Sequence, residues 1–335
     1  MYIATIDTGT SNTRVKLWNK GKIVSKSFAG VGVRDTAITG SKAKLYQGVR
    51  EAIKTALEKI DMRASEVDLF LASGMITSNV GLYEVPHVCA PAGIDELAKG
   101  MVSAQIDEVI DKPTWFVPGI KNQLKDININ TCEEMDIMRG EETETIGIIE
   151  NLKIEGPAVV VLPGSHSKFV SINESGQITG CLTTLAGELL SVITNNTILA
   201  NALNNSFVEE INEEIIIAGA DYSKKVGLNR TLFTTRILDQ FTTYSVNDKA
   251  NFLLGAVLET DLFAVKNSRA IRVSPDQKVI IGGGKVSKRA FEILIKRDDY
   301  FTGKVYIVDD GLMEDMSGLG CIAAAKVRGL ITEDE

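Results

Sequence analysis

Metal and disulfide chemistry have little to work with in this chain. Its four cysteines, Cys89, Cys132, Cys181 and Cys321, stand far apart without a CxxC pair, and there are only two histidines. That spacing excludes a zinc site of the usual Cys/His kind and suits free thiols in a reducing compartment. Positive charge is also short. Against 44 Asp and Glu there are 36 Lys and Arg, a net charge of −8, so no broad basic surface calls for nucleic acid or an anionic membrane. No apolar run reaches the length of a membrane span, no segment is of low complexity, and Tyr2-Ile3-Ala4-Thr5-Ile6 reads as a strand, not as a basic leader. The expectation is a cytoplasmic protein with a small-molecule partner, without nucleic acid or membrane.

What is present is an ordinary globular composition and 335 residues, enough for about two domains. Two stretches read as copies of one hairpin. The first is Asp7-Thr8-Gly9-Thr10-Ser11-Asn12-Thr13-Arg14, running on to Gly21 and Ile23; the second is Leu162-Pro163-Gly164-Ser165-His166-Ser167-Lys168, running on to Gly176 and Ile178. Each reads strand, Gly/Ser/Thr turn, strand, Gly turn, strand. Such a turn can aim several backbone N–H groups at one anion. Two of them across a cleft hold a polyphosphate from both sides, which points to a two-lobed phosphotransferase built by duplication.

The rest of the chain fits that plan. Strands are expected at 2–7, 13–18 and 22–28, a helix at 43–60, and short strands at 67–72 and 114–117. Residues 93–107 and 133–149 read as helices. Pro157 opens the second half, where an apolar strand at 158–162, a second meander to about 184, helices across 186–265, strands at 279–281 and 305–308 and a helix at 318–327 follow. Meander, helix, strand, helix, strand occurring twice is a mixed sheet with helices on both faces: the fold class is α/β, two ribonuclease H-like domains at 1–155 and 156–335, a helical insertion at about 186–265, and an active-site cleft between the domains. The apolar positions of 186–265 read as core first, with a homodimer surface as the lesser use.

Several constellations carry chemistry. Asp7 at a strand end suits Mg²⁺, because hard cations take carboxylate oxygens. Gly9, Thr10, Ser11 and Asn12 bring backbone and short donors close to a phosphoryl group. In the second turn, Gly164, Ser165 and Ser167 repeat this, while His166 and Lys168 add a hydrogen bond and a point charge. Gly282-Gly283-Gly284, between an apolar strand and a helix, lets a flat group lie against the backbone, and adenosine is expected there. Met138-Arg139-Gly140-Glu141-Glu142-Thr143, with Asp136 just before, gathers acids and one Arg. Macrodipole pairing accounts for one acid of a helix's first turn. The functional alternative is a general base, with Arg139 or Arg34 as a fork for a substrate carboxylate. Ser73, Gly74 and Met75 end a buried strand, where ligands of open α/β sheets tend to sit.

These residues resemble the superfamily of sugar kinases, acetate kinase, heat-shock ATPases and actin. Ala72-Ser73-Gly74-Met75, Met138-Arg139-Gly140-Glu141-Glu142-Thr143, Leu162-Pro163-Gly164-Ser165-His166-Ser167-Lys168 and Ala186-Gly187-Glu188-Leu189 narrow the resemblance to the 2-dehydro-3-deoxygalactonokinase family. It implies an ATP-dependent, Mg²⁺-requiring kinase that converts 2-dehydro-3-deoxy-D-galactonate to its 6-phosphate in galactonate breakdown. In related sugar kinases a Gly-Asp pair supplies the base. Here Gly140-Glu141 stands in that place, so the role passes to Glu141, with Asp136 and Glu142 as alternatives. Other readings on the same scaffold are a kinase of another sugar acid or hexose, or an actin-like switch ATPase.

Overall fold

The computed structural model describes residues 1–332. The chain opens with β1 (Tyr2–Thr8), β2 (Thr13–Asn19) and β3 (Lys22–Ala29), then α1 (Val33–Thr39), α2 (Ala43–Glu58) and β4 (Leu69–Gly74). Next come β5 (Val88–Cys89), α3 (Ile94–Gly100), β6 (Val102–Ile106), β7 (Ile110–Phe116), β8 (Ile120–Lys121), β9 (Ile137–Met138) and α4 (Glu141–Leu152). The second part begins with β10 (Ala158–Leu162), β11 (Ser167–Ile172) and β12 (Ile178–Thr184), followed by α5 (Ala186–Asn196), α6 (Glu213–Val226), α7 (Leu228–Phe241) and α8 (Val246–Asn267). It ends with β13 (Lys278–Ile281), α9 (Lys285–Arg297), β14 (Val305–Ile307), α10 (Asp310–Met313) and α11 (Met316–Val327).

Duplication is explicit in the sheets. The first has the order β3-β2-β1-β4-β7-β6 and the second β12-β11-β10-β13-β14, so each is a meander whose first strand pairs in parallel with the strand after the helices. Strand β10, Ala-Val-Val-Val-Leu, is buried along its whole length because helices cover both faces. Strand β6 is an addition the sequence pattern hides: residues 93–107 look helical throughout, yet the helix stops at Gly100 and an edge strand pairs antiparallel with β7. The expected helix over 133–149 likewise starts only at Glu141, after the two-residue strand β9.

Three apolar layers hold the sheets. On the outer face of the first sheet, Leu45, Val49, Ile53 and Ala56 of α2 recur at helical spacing and pack on Ala4, Val15 and Leu17. The outer face of the second sheet packs on α5, α6, α8 and α9. The 22-residue α8 is fixed at its start by a capping box: Ser245 Oγ accepts the Asp248 N–H at 3.0 Å, and the Asp248 carboxylate accepts the Ser245 N–H at 3.1 Å. Between the sheets lie α4 and α11, sharing one core with Leu71 and Ile3 from the first sheet and Val160 and Ile280 from the second. So the last helix of the chain returns to the first sheet.

Helices α4 and α11 cross almost backbone to backbone. A β carbon on Gly320 would stand 1.9 Å from the Thr143 carbonyl oxygen, and one on Gly147 would stand 2.2 Å from that of Met316. Neither neighbour is a flexible side chain, so the helices themselves must part. Gly320→Val is therefore expected to cost about 3 kcal/mol or more, read as a lowered urea midpoint, whereas an unchanged midpoint would contradict this packing.

Candidate active site

The two hairpin turns face one cleft. It has a volume of about 1020 Å³ and is lined from the first turn by Asp7, Gly9, Thr10 and Arg14 and from the second by Gly164, Ser165 and His166. Gly283 and Gly284 form another part of the wall, and α4 presents Gly140, Glu141 and Glu144. Local bonds set each turn. In the first, Gly9 N–H donates to the Asn12 carbonyl (2.9 Å), and the N–H groups of Val33 and Arg34 donate to the carbonyls of Gly9 (3.2 Å) and Thr10 (2.9 Å). In the second, Glu188 N–H donates to the Ser165 carbonyl (2.9 Å), and the Glu188 carboxylate lies 2.8 Å from His166 Nε2.

Two glycines let α4 reach the cleft. Gly74, at the end of β4, has φ +86°, and Gly140, at the start of α4, has φ +111°. A β carbon on Gly74 would meet Asp7 Oδ1 at 2.9 Å, and one on Gly140 would meet the Gly74 Cα at 3.2 Å. Side chains disfavour both the torsions and the approach. With hydrogen in their place, the helix start sits against the strand ends and sets Glu141 close to Asp7.

Helix phase separates the three neighbouring acids. Glu141 and Glu144, three residues apart, share the face that meets the cleft. Glu142 points inward, fully buried, and both its oxygens accept the Gly140 N–H at 2.9 Å. Burial raises the pKa of Glu141, against the nearby Lys168 charge and the Arg139 N–H, which donates to Glu141 Oε2 at 3.2 Å. Burial and Glu141 push Glu142 up to about 8, and burial with Asp7 and Glu141 does the same to Glu144. Asp7 is raised by burial and lowered by Arg14, whose Nη1 lies 3.4 Å from Oδ2. Native Glu142 thus keeps a proton that the unfolded chain releases near pH 4.5. Between that pH and about 8 the native state binds more protons, so stability falls as pH rises through this window. The expected result is a melting temperature that drops from about pH 5 to pH 8 in wild type and drops less in Glu142→Gln; parallel curves would contradict it.

Arg139 is anchored. Its Nη1 donates to Thr77 Oγ1 (2.8 Å), and its Nη2 donates to the Val85 carbonyl (2.8 Å) and to His87 Nδ1 (3.3 Å). Burial and the Arg139 charge lower the His87 pKa to about 4, so the ring is neutral and accepts that bond.

Other residues expected at the site are elsewhere. Ser11 and Asn12 shape the first turn but do not line the cleft. Ser167 and Lys168 are buried behind the second turn, Lys168 Nζ donating to the Ile137 carbonyl (2.7 Å) and to Thr183 Oγ1. Gly282 is packed under Met313 and Leu162. Arg34 is exposed outside the cleft and contributes its backbone N–H, not its fork. Ser73 is buried with its hydroxyl 3.2 Å from that of Ser317, Gly74 lies beneath Asp7, and Met75 packs into the first core, so none of the three meets the cleft. Asp136 is tied down: its carboxylate accepts the Thr183 N–H (2.5 Å) and hydroxyl (2.7 Å), away from the cleft wall. Conversely, Glu144 and Arg14 are cleft residues that the sequence reading left without a role. The i, i+3 spacing from Glu141 is the signal that could have found Glu144.

Two sheets of matching order, facing a cleft rimmed by paired Gly-rich turns, define the two-lobed ATPase fold of sugar kinases, heat-shock ATPases and actin. Within that class the chain belongs to the 2-keto-3-deoxy-galactonokinase family, whose model matches residues 7–299. It is an ATP-dependent sugar-acid kinase, a phosphotransferase of galactonate breakdown. A Sinorhizobium meliloti protein named as a 2-dehydro-3-deoxygalactonokinase superposes with a TM-score of 0.75 at 21% identity, over 97% of this chain and 98% of its own. Component A of the (R)-2-hydroxyglutaryl-CoA dehydratase of Acidaminococcus fermentans, 14% identical, gives 0.50 over 98% and 99%. At such identities the likeness is one of fold. No curated protein matches the chain. Among the described residues no helix is long and apolar enough to cross a membrane.

Proposed function

We propose that this kinase transfers the γ-phosphoryl group of ATP in line to the 6-hydroxyl of 2-dehydro-3-deoxy-D-galactonate, with Glu141 as general base. The observation that carries the assignment is the placement of Glu141: it starts α4, faces the cleft between both turns, and interacts with Asp7 and Lys168. Burial raises its pKa above that of a free carboxyl, which makes it a stronger proton acceptor for a hydroxyl. Glu142 and Asp136, both turned to structural bonds, are less suited.

Gly9 and Thr10 of the first turn and Gly164, Ser165 and His166 of the second, which line the cleft, cradle the phosphates from opposite sides through backbone N–H groups and short hydroxyls. Arg14 and His166 add charge and a hydrogen bond there. Asp7 fits Mg²⁺: it is a hard oxygen donor facing the cleft, and Mg²⁺ is usually held by one or two carboxylates plus substrate phosphates. Bound there, the ion would neutralise charge on the transferring group. Arg139, anchored through Thr77, Val85 and His87, orients the sugar-acid carboxylate, and Gly283 and Gly284 flank the adenosine. The lobes at 1–155 and 156–335, hinged near 150–157 and α11, close to exclude water. Free cysteines throughout suit the reducing cytoplasm.

The test is ³¹P NMR of the product formed from Mg·ATP with 2-keto-3-deoxy-galactonate and with its 4-epimer, 2-keto-3-deoxy-gluconate. A phosphomonoester on C6, formed faster from the galactonate, is the expected result. Phosphorylation at another carbon, or turnover of hexoses alone, would overturn the substrate assignment.

A further inference from the structure

The helices that follow β12 hold a buried acid for which the mechanism above has no use. Asp261, on α8, is only 3% exposed. Burial raises its pKa to about 7, against the lowering effect of the hydroxyls of Thr184 and Ser167. Ser167 ends the second phosphate turn and opens β11, and Thr184 is its direct partner across the ladder with β12. Yet Asp261 Oδ2 and Thr184 Oγ1 have no partner in hydrogen-bonding geometry. Buried oxygens left unpaired are costly and few, and one under a binding loop calls for a reason.

The same turn is gripped from its other side by α5, through the Glu188 N–H on the Ser165 carbonyl and the Glu188 carboxylate on His166. Helix α5 meets the turn's exposed rim and α8 its buried root. We propose that Asp261 is a positioning residue for nucleotide binding, setting the second phosphate turn from below through the hydroxyls of Ser167 and Thr184. This rests on the reading that the turn grips ATP phosphate. When phosphate draws the turn's N–H groups toward it, Ser167 and Thr184 move against the acid, and the unpaired oxygens find partners. Asp261 touches no substrate; it acts through Ser167.

The test compares saturation by ATP and by the sugar acid for the whole enzyme and its Asp261→Ala, Asp261→Asn and Ser165→Asp variants. Ser165→Asp puts a like charge in the turn and checks that the turn meets phosphate. Asp261→Ala should raise KM for ATP about tenfold, about 1.4 kcal/mol, and leave KM for the sugar acid within about twofold. Asp261→Asn should stay near wild type, because its amide keeps a donor and an acceptor. Normal ATP binding in Asp261→Ala beside weakened binding in Ser165→Asp overturns the role of Asp261 alone. Normal ATP binding in Ser165→Asp overturns the reading of the turn and this proposal with it. Equal rises in both KM values, with a lowered melting temperature, make Asp261 a core strut and overturn the proposal too. Asp261→Ser replaces the alanine variant if that protein does not fold.

Discussion

Glu141→Gln is expected to lower kcat by about 10²- to 10⁴-fold, the usual contribution of a positioned general base. The amide keeps the size of the side chain, and its oxygen can still accept the Arg139 N–H that Glu141 Oε2 accepts. It removes the proton acceptor and one of three carboxyl groups, Asp7, Glu141 and Glu144, that face the cleft. ATP and sugar-acid affinity should therefore hold or improve while turnover collapses, seen as coupled ADP release at saturating substrate. A kcat within a factor of about three of wild type would move the base to another acid. Glu144, on the same helix face, then becomes the first alternative, ahead of Glu142 and Asp136.

Asp7→Asn is expected to cost about 10²- to 10³-fold in kcat, on the scale of losing one preorganised electrostatic contact to the transferring group. Its signature is a higher Mg²⁺ concentration for half-maximal rate, because an amide oxygen is a poorer ligand for a hard cation than a carboxylate. The substitution also leaves Arg14 without its 3.4 Å partner, so ATP binding itself should change little or tighten. Rate loss without any change in Mg²⁺ dependence would place the metal elsewhere and leave Asp7 with the first turn alone.

The features legible in the sequence were local ones. Both hairpins, with glycines at matching positions, announce themselves through turn chemistry and short-range alternation, and the triple glycine at 282–284 stands where a strand meets a helix. Long-range partners were not legible. Ser73 reads as a substrate contact because it ends a buried strand, yet its hydroxyl meets that of Ser317, 244 residues on. Strand β6 alternates only between half-buried and exposed positions, as an edge strand does, and it follows an amphipathic helix whose pattern runs on into it. The start of α4 was blurred by acids before it, since Glu133 and Glu134 mimic a first turn. What stops the helix from extending back is Gly140 at φ +111°, a torsion no composition rule reports. The same phase shift decides which of Glu141, Glu142 and Glu144 sees the cleft.

The most direct test of the account is a crystal structure of the ternary complex with Mg²⁺, a non-hydrolysable ATP analogue and 2-keto-3-deoxy-galactonate. The β- and γ-phosphates are expected between Gly9-Thr10 of the first turn and Gly164-Ser165-His166 of the second, with the sugar's 6-hydroxyl within about 2.6–3.2 Å of the Glu141 carboxylate. Phosphates lodged away from either turn, or that hydroxyl paired with a different carboxylate, would contradict it.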